Sequence, residues 1–299
     1  MSGLSHIKLT TSNKKTMKLL VDSGSTKADW ISIDDSGKVL FTTQTLGLNP
    51  EVLEKDEIIS RLNVKFDISH NKKKVSHLYF YGAGCGTDRM KIFLTEVFKD
   101  YFPKAIISVH EDTYAAVYAT TPKNEKAIVC ILGTGSNCSY FDGTVLHQKV
   151  QSLGYIAMDD CSGNRFGRHM LRGYYFNKMP KDLAKEFEEE YNVAPDPVKN
   201  NLYKEPNPNA YLATFAKFLI KHKDTDFCKQ YIAMEMEDFV ENYIKQFDNY
   251  KEVPVHFIGS IAFYLKEELQ IVMAKHGIKL GNVLRRPIDG LIQYHILNK

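Results

Sequence analysis

The sequence has no long apolar run, and none of its apolar stretches approaches the roughly 18 residues that a membrane-spanning helix needs. Residues 1–16 also lack the apolar core of a signal peptide. Basic and acidic residues nearly balance, at 39 against 36, so the net charge of +3 provides no broad basic surface. We therefore expect a cytoplasmic globular protein that binds neither nucleic acid nor membranes.

Cysteine is scarce, and its pattern excludes several classes of protein. The five cysteines are odd in number and show no C-x-x-C spacing, which favours reduced thiols over disulfides, zinc or iron–sulfur sites. Hydrophobic residues make up 43% and charged residues 25% of the 299 residues. This composition and length predict an ordinary globular protein with room for two domains.

The most informative stretch is LLVDSGSTKADWISI, residues 19–33, which predicts a strand, a tight polar turn and a second strand. Asp22 ends the first strand, and the turn contains Ser23, Gly24, Ser25 and Thr26. Hydroxyls, free backbone N–H groups and a glycine that allows close approach would suit a phosphate, and Asp22 could hold a hydrated Mg²⁺. An ordinary hairpin with small residues in its turn is the alternative.

A second copy of this hairpin lies in IVCILGTGSNCSYF, residues 128–141. The first four letters of its GTGSN align without a gap on Asp22 to Ser25; they are Gly133, Thr134, Gly135 and Ser136. Each copy continues into an apolar strand that ends in an Asp and Gly turn. The repetition indicates an internal duplication in which two phosphate-binding hairpins clamp one ligand.

Three further polar positions follow predicted strands or turns. Asn49 precedes Pro50 in LGLNP, where it could cap the next helix or contact a ligand. Asp112 follows a strand and precedes a helix, where a carboxylate is a common N-cap. Glu111 is adjacent, but alternation along a strand predicts that its side chain faces the other way. Asp159 belongs to an acidic loop, and a solvated turn without a functional role is the alternative interpretation of that loop.

The remaining pattern predicts helices and strands around these motifs. The predicted helices are residues 51–62, 88–101, 181–191, 211–221, 226–247, 261–276 and 287–297, and a strand is predicted at residues 144–151. Walker A spacing and a G-x-G-x-x-G loop are both absent. A phosphate site in this chain would therefore have to be built from the two hairpins.

The motifs DSGSTKADW, GTGSN and FIGSIA, in this order, resemble the two phosphate motifs and the adenosine motif of the actin, heat-shock ATPase and sugar-kinase superfamily. Within it, the chain is most similar to the N-acetylglucosamine kinase and BadF/BadG/BcrA/BcrD ATPase family. The resemblance implies an α/β fold with two ribonuclease H-like actin-type ATPase domains, related by duplication and separated by a cleft. It also implies ATP and Mg²⁺ as cofactors.

The expected domains follow from this resemblance. Residues 1–16 form a flexible leader, and residues 17–122 form the first domain, completed by a C-terminal helix at residues 285–299. Residues 123–284 form the second domain, with a helical insertion at about residues 180–250.

The resemblance assigns roles to individual residues. Asp112 would be the catalytic base and would also contact the sugar, with Asn49, Asn137 and Asp159. Gly259 and Ser260 would contact adenosine. The acidic loop SLGYIAMDDCSGNRFGR departs from the family pattern, because Met158 and Cys161 replace glycines and Asp160 replaces the usual Glu. Either the backbone needs no positive φ at Met158, or the loop has shifted.

The expected function is ATP-dependent phosphorylation of an amino sugar, with N-acetylglucosamine at its 6-hydroxyl as the leading substrate. Two alternatives stay open. One is a BadF-type ATPase that activates a partner redox enzyme, and the other is an actin-like polymer or a sugar-binding regulator without catalysis. The predicted partner is a small-molecule amino sugar, without nucleic acid or membrane, and a homodimer stays open.

Overall fold

The computed structural model describes residues 16–24 and 27–297. Over these residues the chain divides after Asp112 into two compact units, each built on one mixed five-stranded sheet with helices. The predicted α/β class is confirmed. The predicted leader lies outside the described residues, apart from Thr16. Over the same part of the chain, none of the helices is both long enough and apolar enough to cross a bilayer.

The sheet of the first unit has the strand order β3-β2-β1-β4-β5. Its strands are β1 (Met17–Ser23), β2 (Lys27–Ile33), β3 (Val39–Leu46), β4 (Val75–Gly82) and β5 (Ile106–Glu111). β1 runs antiparallel to β2 but parallel to β4, and β4 is parallel to β5. The carboxyl ends of β1, β4 and β5 therefore meet at one edge, where ligands bind in open α/β sheets. Ser23, Gly82 and Glu111 are in register there.

The helices of the first unit are α1 (Lys55–Asn63), α2 (Phe66–Asn71) and α3 (Asp88–Tyr101). The bounds of α3 match the prediction, and Thr87 caps it by accepting a hydrogen bond from Met90 N at 3.4 Å. The helix predicted at residues 51–62 instead begins at Lys55. The reason is local, because a turn at Asn49 uses the next N–H groups: Glu51 N donates to Asn49 Oδ1 at 2.9 Å.

The second unit repeats the topology of the first. Its sheet has the order β10-β9-β6-β7-β8, which is the arrangement of the first sheet with the three hairpin-connected strands on one side. Its strands are β6 (Ala127–Leu132), β7 (Ser136–Phe141), β8 (Leu146–His147), β9 (Val255–Ile258) and β10 (Leu280–Leu284). β6 is antiparallel to β7 and parallel to β9, as β1 is to β2 and β4. The predicted internal duplication is therefore visible in the strand order.

The helices of the second unit differ in several places from the prediction. They are α4 (Asp112–Thr120), α5 (Gly163–Tyr175), α6 (Lys181–Glu190), α7 (Pro195–Tyr203), α8 (Pro208–Thr214), α9 (Ala216–Lys221), α10 (Asp226–Asn242), α11 (Ser260–Tyr264), α12 (Lys266–Lys275) and α13 (Pro287–Leu297). The segment before Asn209, predicted to be a loop, contains α7, whose Pro195 is at the first helical position, where a missing N–H costs nothing. The strand predicted at residues 144–151 is reduced to β8, since Thr144 N and Val145 N both donate to Asp142 Oδ1.

Aromatic residues of the helical segment form part of the core, as their spacing predicts. Phe187 packs against Phe215 and Phe218, with ring centroids 5.6 and 5.0 Å apart, and all three are buried. Elsewhere in this unit, Tyr118 of α4 stacks on Tyr294 of α13, with centroids 4.5 Å apart. The predicted assignment of the C-terminal helix to the first domain stays a prediction.

His256 is a buried titratable group in the middle of the second sheet. Its Nδ1 accepts a hydrogen bond from Asn282 N at 2.8 Å, and Gly281 leaves room for the ring because a side chain there would overlap it. Burial, helped by the charge of Lys279, lowers the pKa of His256 to about 4 from its usual 6.5. The folded protein therefore stabilises the neutral form of the His256 ring.

We expect the free energy of unfolding to fall by about 3 kcal/mol as the pH drops from about 6.5 to about 4. Above this range His256 is neutral in both states. Within it, His256 is protonated in the unfolded chain but stays neutral in the folded chain. Urea denaturation over this pH range measures the effect. His256→Gln should flatten the pH dependence, and the control His70→Gln, at an exposed position of α2, should keep it. Equal slopes for the two variants would contradict the assignment.

Candidate functional site

The first hairpin places a buried hydroxyl at the end of β1. Ser23 is 1% exposed, and its Oγ accepts a hydrogen bond from Leu48 N at 3.0 Å. Its carbonyl accepts another from Ala83 N at 2.8 Å. Ser23 therefore ties the Asn49 turn and the turn after β4 to the end of β1. Phosphate binding by this residue stays a prediction.

The rest of the first hairpin is described only in part. Asp22 is half-buried, and it lies in register with Asp29 of β2 and Tyr81 of β4. Gly24 is exposed at the turn, with room for a close ligand. Ser25 and Thr26, which the sequence assigns to the phosphates, lie outside the described residues.

Asn49 contacts the glycine-rich turn that follows β4. Gly84 has a φ of +81°, and a side chain on it would overlap Asn49 Oδ1. Asn49 does not cap α1, whose N-cap is Glu54. Its amide is half-buried beside the carboxyl edge of the first sheet, a position that agrees with the predicted contact to a sugar without testing it.

Asp112 lies where the sequence predicts, directly after β5 and at the first position of α4. Burial, together with the charge of Asp112 and to a lesser degree of Glu111, raises the pKa of the Cys85 thiol to about 12. The carboxylate of Glu111 also lies 3.8 Å from where a Cβ on Gly86 would be. Both carboxylates thus border the same turn. Strand alternation does not apply to this pair, because β5 ends at Glu111 and the backbone turns helical at the next residue, so the exclusion of Glu111 from the site stays a prediction.

The second hairpin is held by the start of α5. Gly163 N donates to Gly133 O at 2.8 Å, and Asn164 N donates to Thr134 O at 3.0 Å. These N–H groups belong to the first turn of a helix and have no partner within it, so the hairpin carbonyls satisfy them. The helix start therefore fixes the position of the hairpin backbone, while the side chain of Thr134 remains exposed.

The other predicted residues of this hairpin lie at the beginning of β7. Ser136 is 8% exposed, and its Oγ has no hydrogen-bond partner among the described residues. Asn137 is half-buried and lies opposite Ile131 in the sheet. Its Oδ1 accepts a hydrogen bond from Ser139 Oγ at 3.0 Å.

Gly259, the predicted adenosine contact, packs against this hairpin. Its φ is +121°, and a Cβ would overlap Leu132 O and come within 3.1 Å of Gly133 N. Ser260 begins α11 directly after it. The structure thus explains the glycine by a close approach of two backbones, next to the turn assigned to phosphate. Adenosine binding by Gly259 and Ser260 stays a prediction.

The acidic loop folds back onto the second hairpin. Asp159 is only 7% exposed and has a φ of +68°, so it is not part of a solvated turn. A Cβ on Gly135 would lie 2.8 Å from Asp159 Oδ2. Cys161 keeps the positive φ of a glycine, at +58°, whereas Met158 does not have a positive φ. In this loop the positive φ values lie at Asp159 and Cys161, so the backbone at Met158 itself needs no glycine.

A buried carboxylate of α10 fixes this loop, and the sequence analysis did not identify it. Glu235 is fully buried and accepts hydrogen bonds from Cys161 N at 2.9 Å, Arg165 Nε at 2.9 Å and His169 Nε2 at 2.5 Å. Burial by itself would raise the pKa of Glu235, but these hydrogen bonds outweigh it and hold the pKa below its usual 4.5. Glu235 is 74 positions from Cys161, so no local pattern could have revealed the contact.

Asn164 is the second residue that the sequence analysis missed. Its Nδ2 donates to Thr134 O at 2.7 Å and to Asp159 Oδ2 at 3.0 Å, and its side chain is fully buried. The amide thus joins the acidic loop to the second hairpin. The one signal in the sequence was its place just after the Ser162 N-cap, which predicts a helix start but not these partners.

Comparison with known proteins places this fold. No protein-family model matches the sequence. A protein from Porphyromonas gingivalis, described as a candidate N-acetylglucosamine kinase, is 36% identical, with a TM-score of 0.86 over 94% of this chain and 99% of its own. A candidate N-acetylglucosamine kinase from Chromobacterium violaceum has 14% identity and a TM-score of 0.67, over 94% and 99%.

A ROK family glucokinase from Streptomyces griseus, solved with glucose and AMPPNP, has 14% identity and a TM-score of 0.55 over 95% of this chain and 98% of its own. The fold is therefore that of the actin-like sugar kinases. The chain belongs to the N-acetylglucosamine kinase family of the actin-like ATPase superfamily, as its motifs suggest, and it is an ATP-dependent sugar kinase.

We expect Glu235→Gln to destabilise the protein by about 3 kcal/mol, since an amide cannot accept from all three donors and leaves at least one of them buried and unpaired. Glu241→Gln is the matched control, because it removes an exposed carboxylate from the same helix, paired only with Lys245 and the neighbouring His276. Urea denaturation at neutral pH measures both. If the two variants unfold at the same urea concentration, Glu235 does not fix the loop.

Proposed function

We propose that this kinase transfers the γ-phosphoryl group of ATP to the 6-hydroxyl of N-acetylglucosamine. The observation that carries this proposal is the position of Asp112, at the carboxyl end of β5 and beside the ends of β1 and β4. The full-length similarity to the Porphyromonas protein supports the choice of sugar. The neighbouring Asn49 would orient the sugar from the same unit.

In this mechanism Asp112 accepts the proton of the 6-hydroxyl as its oxygen attacks the γ-phosphorus. A new phosphorus–oxygen bond forms to the sugar, the bond to the β–γ bridging oxygen breaks, and ADP leaves. Phosphoryl transfer depends mainly on positioning and on neutralising charge, so the protein needs fixed donors around the phosphates. The backbone N–H groups of Gly24, Thr134, Gly135 and Ser136 are the donors that we assign to this task, because Gly133 N already donates to Gly135 O at 2.9 Å.

The residues present also fit a bound Mg²⁺. The ion prefers oxygen ligands and keeps several waters, so a single carboxylate at the mouth of a phosphate site is sufficient to hold it. Asp22 provides that carboxylate at the end of β1, half-buried and beside the turn assigned to phosphate. We assign it this role through a water molecule. The metal would neutralise charge on the phosphate oxygens.

We also propose that the chain is a member of the BadF/BadG/BcrA/BcrD branch and that the protein is cytoplasmic. All five cysteines are buried and free, which agrees with a reducing compartment. Their burial also disfavours the alternative of a redox-enzyme activator, because a cluster bridging two subunits would need accessible thiols.

A coupled assay of ADP release across a panel of sugars tests the function. We expect kcat/KM for N-acetylglucosamine to exceed those for N-acetylmannosamine, N-acetylmuramate, glucosamine and glucose by at least about 10-fold, or about 1.4 kcal/mol. The 6-deoxy analogue should bind but not release ADP, because it lacks the acceptor oxygen. Preference for another sugar would overturn the substrate, and turnover of the 6-deoxy analogue would overturn the acceptor position.

We expect Asp112→Asn to reduce kcat by about 10² to 10⁴, because an amide cannot accept the proton, while the KM for ATP stays unchanged. At the first position of α4 the substitution removes only the favourable interaction of a carboxylate with the helix dipole, so stability should change by less than about 1 kcal/mol. Asp88→Asn is the matched control, since Asp88 is the first residue of α3. Steady-state kinetics and thermal denaturation report the two effects. An Asp112→Asn enzyme with wild-type turnover would exclude Asp112 as the base.

A further inference from the structure

Asn164 makes contacts that go beyond starting a helix. Its backbone N–H and its side-chain Nδ2 both donate to the same carbonyl, Thr134 O, at 3.0 and 2.7 Å. The Nδ2 group also donates a hydrogen bond to Asp159 Oδ2, at 3.0 Å. One amide group is thus shared between the hairpin assigned to phosphate and the carboxylate assigned to the sugar.

A second contact joins the same two segments without Asn164. The backbone of Gly135 approaches Asp159 so closely that a Cβ there would lie 2.8 Å from Oδ2. The carboxylate therefore lies against the hairpin backbone at one point and is bonded to it through Asn164 at another. A movement of either segment must therefore displace the other.

The side chain of Asn164 also has an unused acceptor. It is fully buried, yet its Oδ1 has no hydrogen-bond partner among the described residues. Ser136 Oγ, at the end of the hairpin, is in the same condition. Buried polar atoms without partners cost free energy and are rare in native proteins unless a water molecule or a ligand meets them. The polar groups at this junction are therefore satisfied only in part by the protein alone.

We propose that Asn164 is a positioning residue that couples the two substrates, so that each binds more tightly when the other is present. This rests on the proposed function, in which Asp159 contacts the sugar and the second hairpin contacts the phosphates. A sugar bound to Asp159 fixes the carboxylate, the carboxylate fixes the Asn164 amide, and the amide fixes Thr134 O. The hairpin then binds the nucleotide in a position that is already set.

By thermodynamic linkage, the factor by which the sugar tightens nucleotide binding must equal the factor by which the nucleotide tightens sugar binding. Couplings of this kind are typically about 5- to 150-fold. A residue that merely supports the fold would weaken both ligands and leave the factor unchanged. The coupling factor therefore separates the two roles.

The experiment uses the full chain, N-acetylglucosamine and AMPPNP, with dissociation constants from isothermal titration calorimetry. For the wild type we expect each ligand to tighten the other by at least about 5-fold. Asn164→Ser should reduce this factor to below about 2-fold, with a smaller change in each single-ligand affinity. The matched control is Asn201→Ser, whose Nδ2 also donates to a backbone carbonyl, Pro197 O at 2.8 Å, in α7 of the same unit. It should keep the wild-type factor.

Asn164→Asp adds a readout that a structural role would not move. At high pH the new carboxylate cannot donate to Asp159 or Thr134 O, and it repels Asp159. At lower pH the pair retains a proton, because two neighbouring carboxylates raise the pKa of one of them, and that proton restores a donor. We expect the coupling factor of this variant to rise as the pH is lowered, while that of the wild type stays flat.

The measured outcomes distinguish a failure of the proposed function from a failure of the coupling. If the wild type binds neither ligand, the proposed function fails, and this inference fails with it. Wild-type binding of both ligands without mutual tightening overturns the coupling alone. A wild-type factor in Asn164→Ser, or no pH dependence in Asn164→Asp, also overturns it. Should Asn164→Ser fail to fold, the pH dependence of the coupling factor in Asn164→Asp decides by itself.

Discussion

The buried charge of Glu235 is the constraint on which the candidate site of the second unit depends. A carboxylate without access to water must be met by donors, and here they are one backbone N–H, one guanidinium and one imidazole. Cys161, whose N–H is one of these donors, has a φ of +58°, and the chain turns there into Ser162 and the start of α5. The position of Asn164, and through it of the second hairpin, follows from this turn. A residue of the helical segment thus organises a loop that the resemblance assigns to the sugar.

The first unit reaches a similar arrangement by different means. There, the parallel alignment of β1, β4 and β5 brings three strand ends to one edge. Ser23 then ties the neighbouring turns together through backbone groups, and Asp112 follows at the start of α4. The duplicated topology therefore supplies two equivalent edges, whereas the polar groups placed on them differ.

Much of this could be predicted from the sequence. Both hairpins, the duplication, the bounds of α3 and the place of Asp112 follow from hydrophobic periodicity and turn chemistry, which act between near neighbours. The failures were also local in origin. The turn at Asn49 delayed α1, a proline at the first helical position started α7, and the end of β5 at Glu111 removed the alternation on which its exclusion relied.

The sequence by itself therefore determined the strands, the turns and the family, because these depend on patterns that lie within a few residues of each other. Only the tertiary structure decided that Asn164 bonds Thr134, 30 positions away, and that Glu235 bonds Cys161, 74 positions away. Its spacing from Cys228, Ile232 and Phe239 places Glu235 on the apolar face of α10, but that pattern does not identify the donors that meet it. Its role arises because packing α10 against α5 removes water from the carboxylate, and a buried charge is stable only where the rest of the fold supplies its donors.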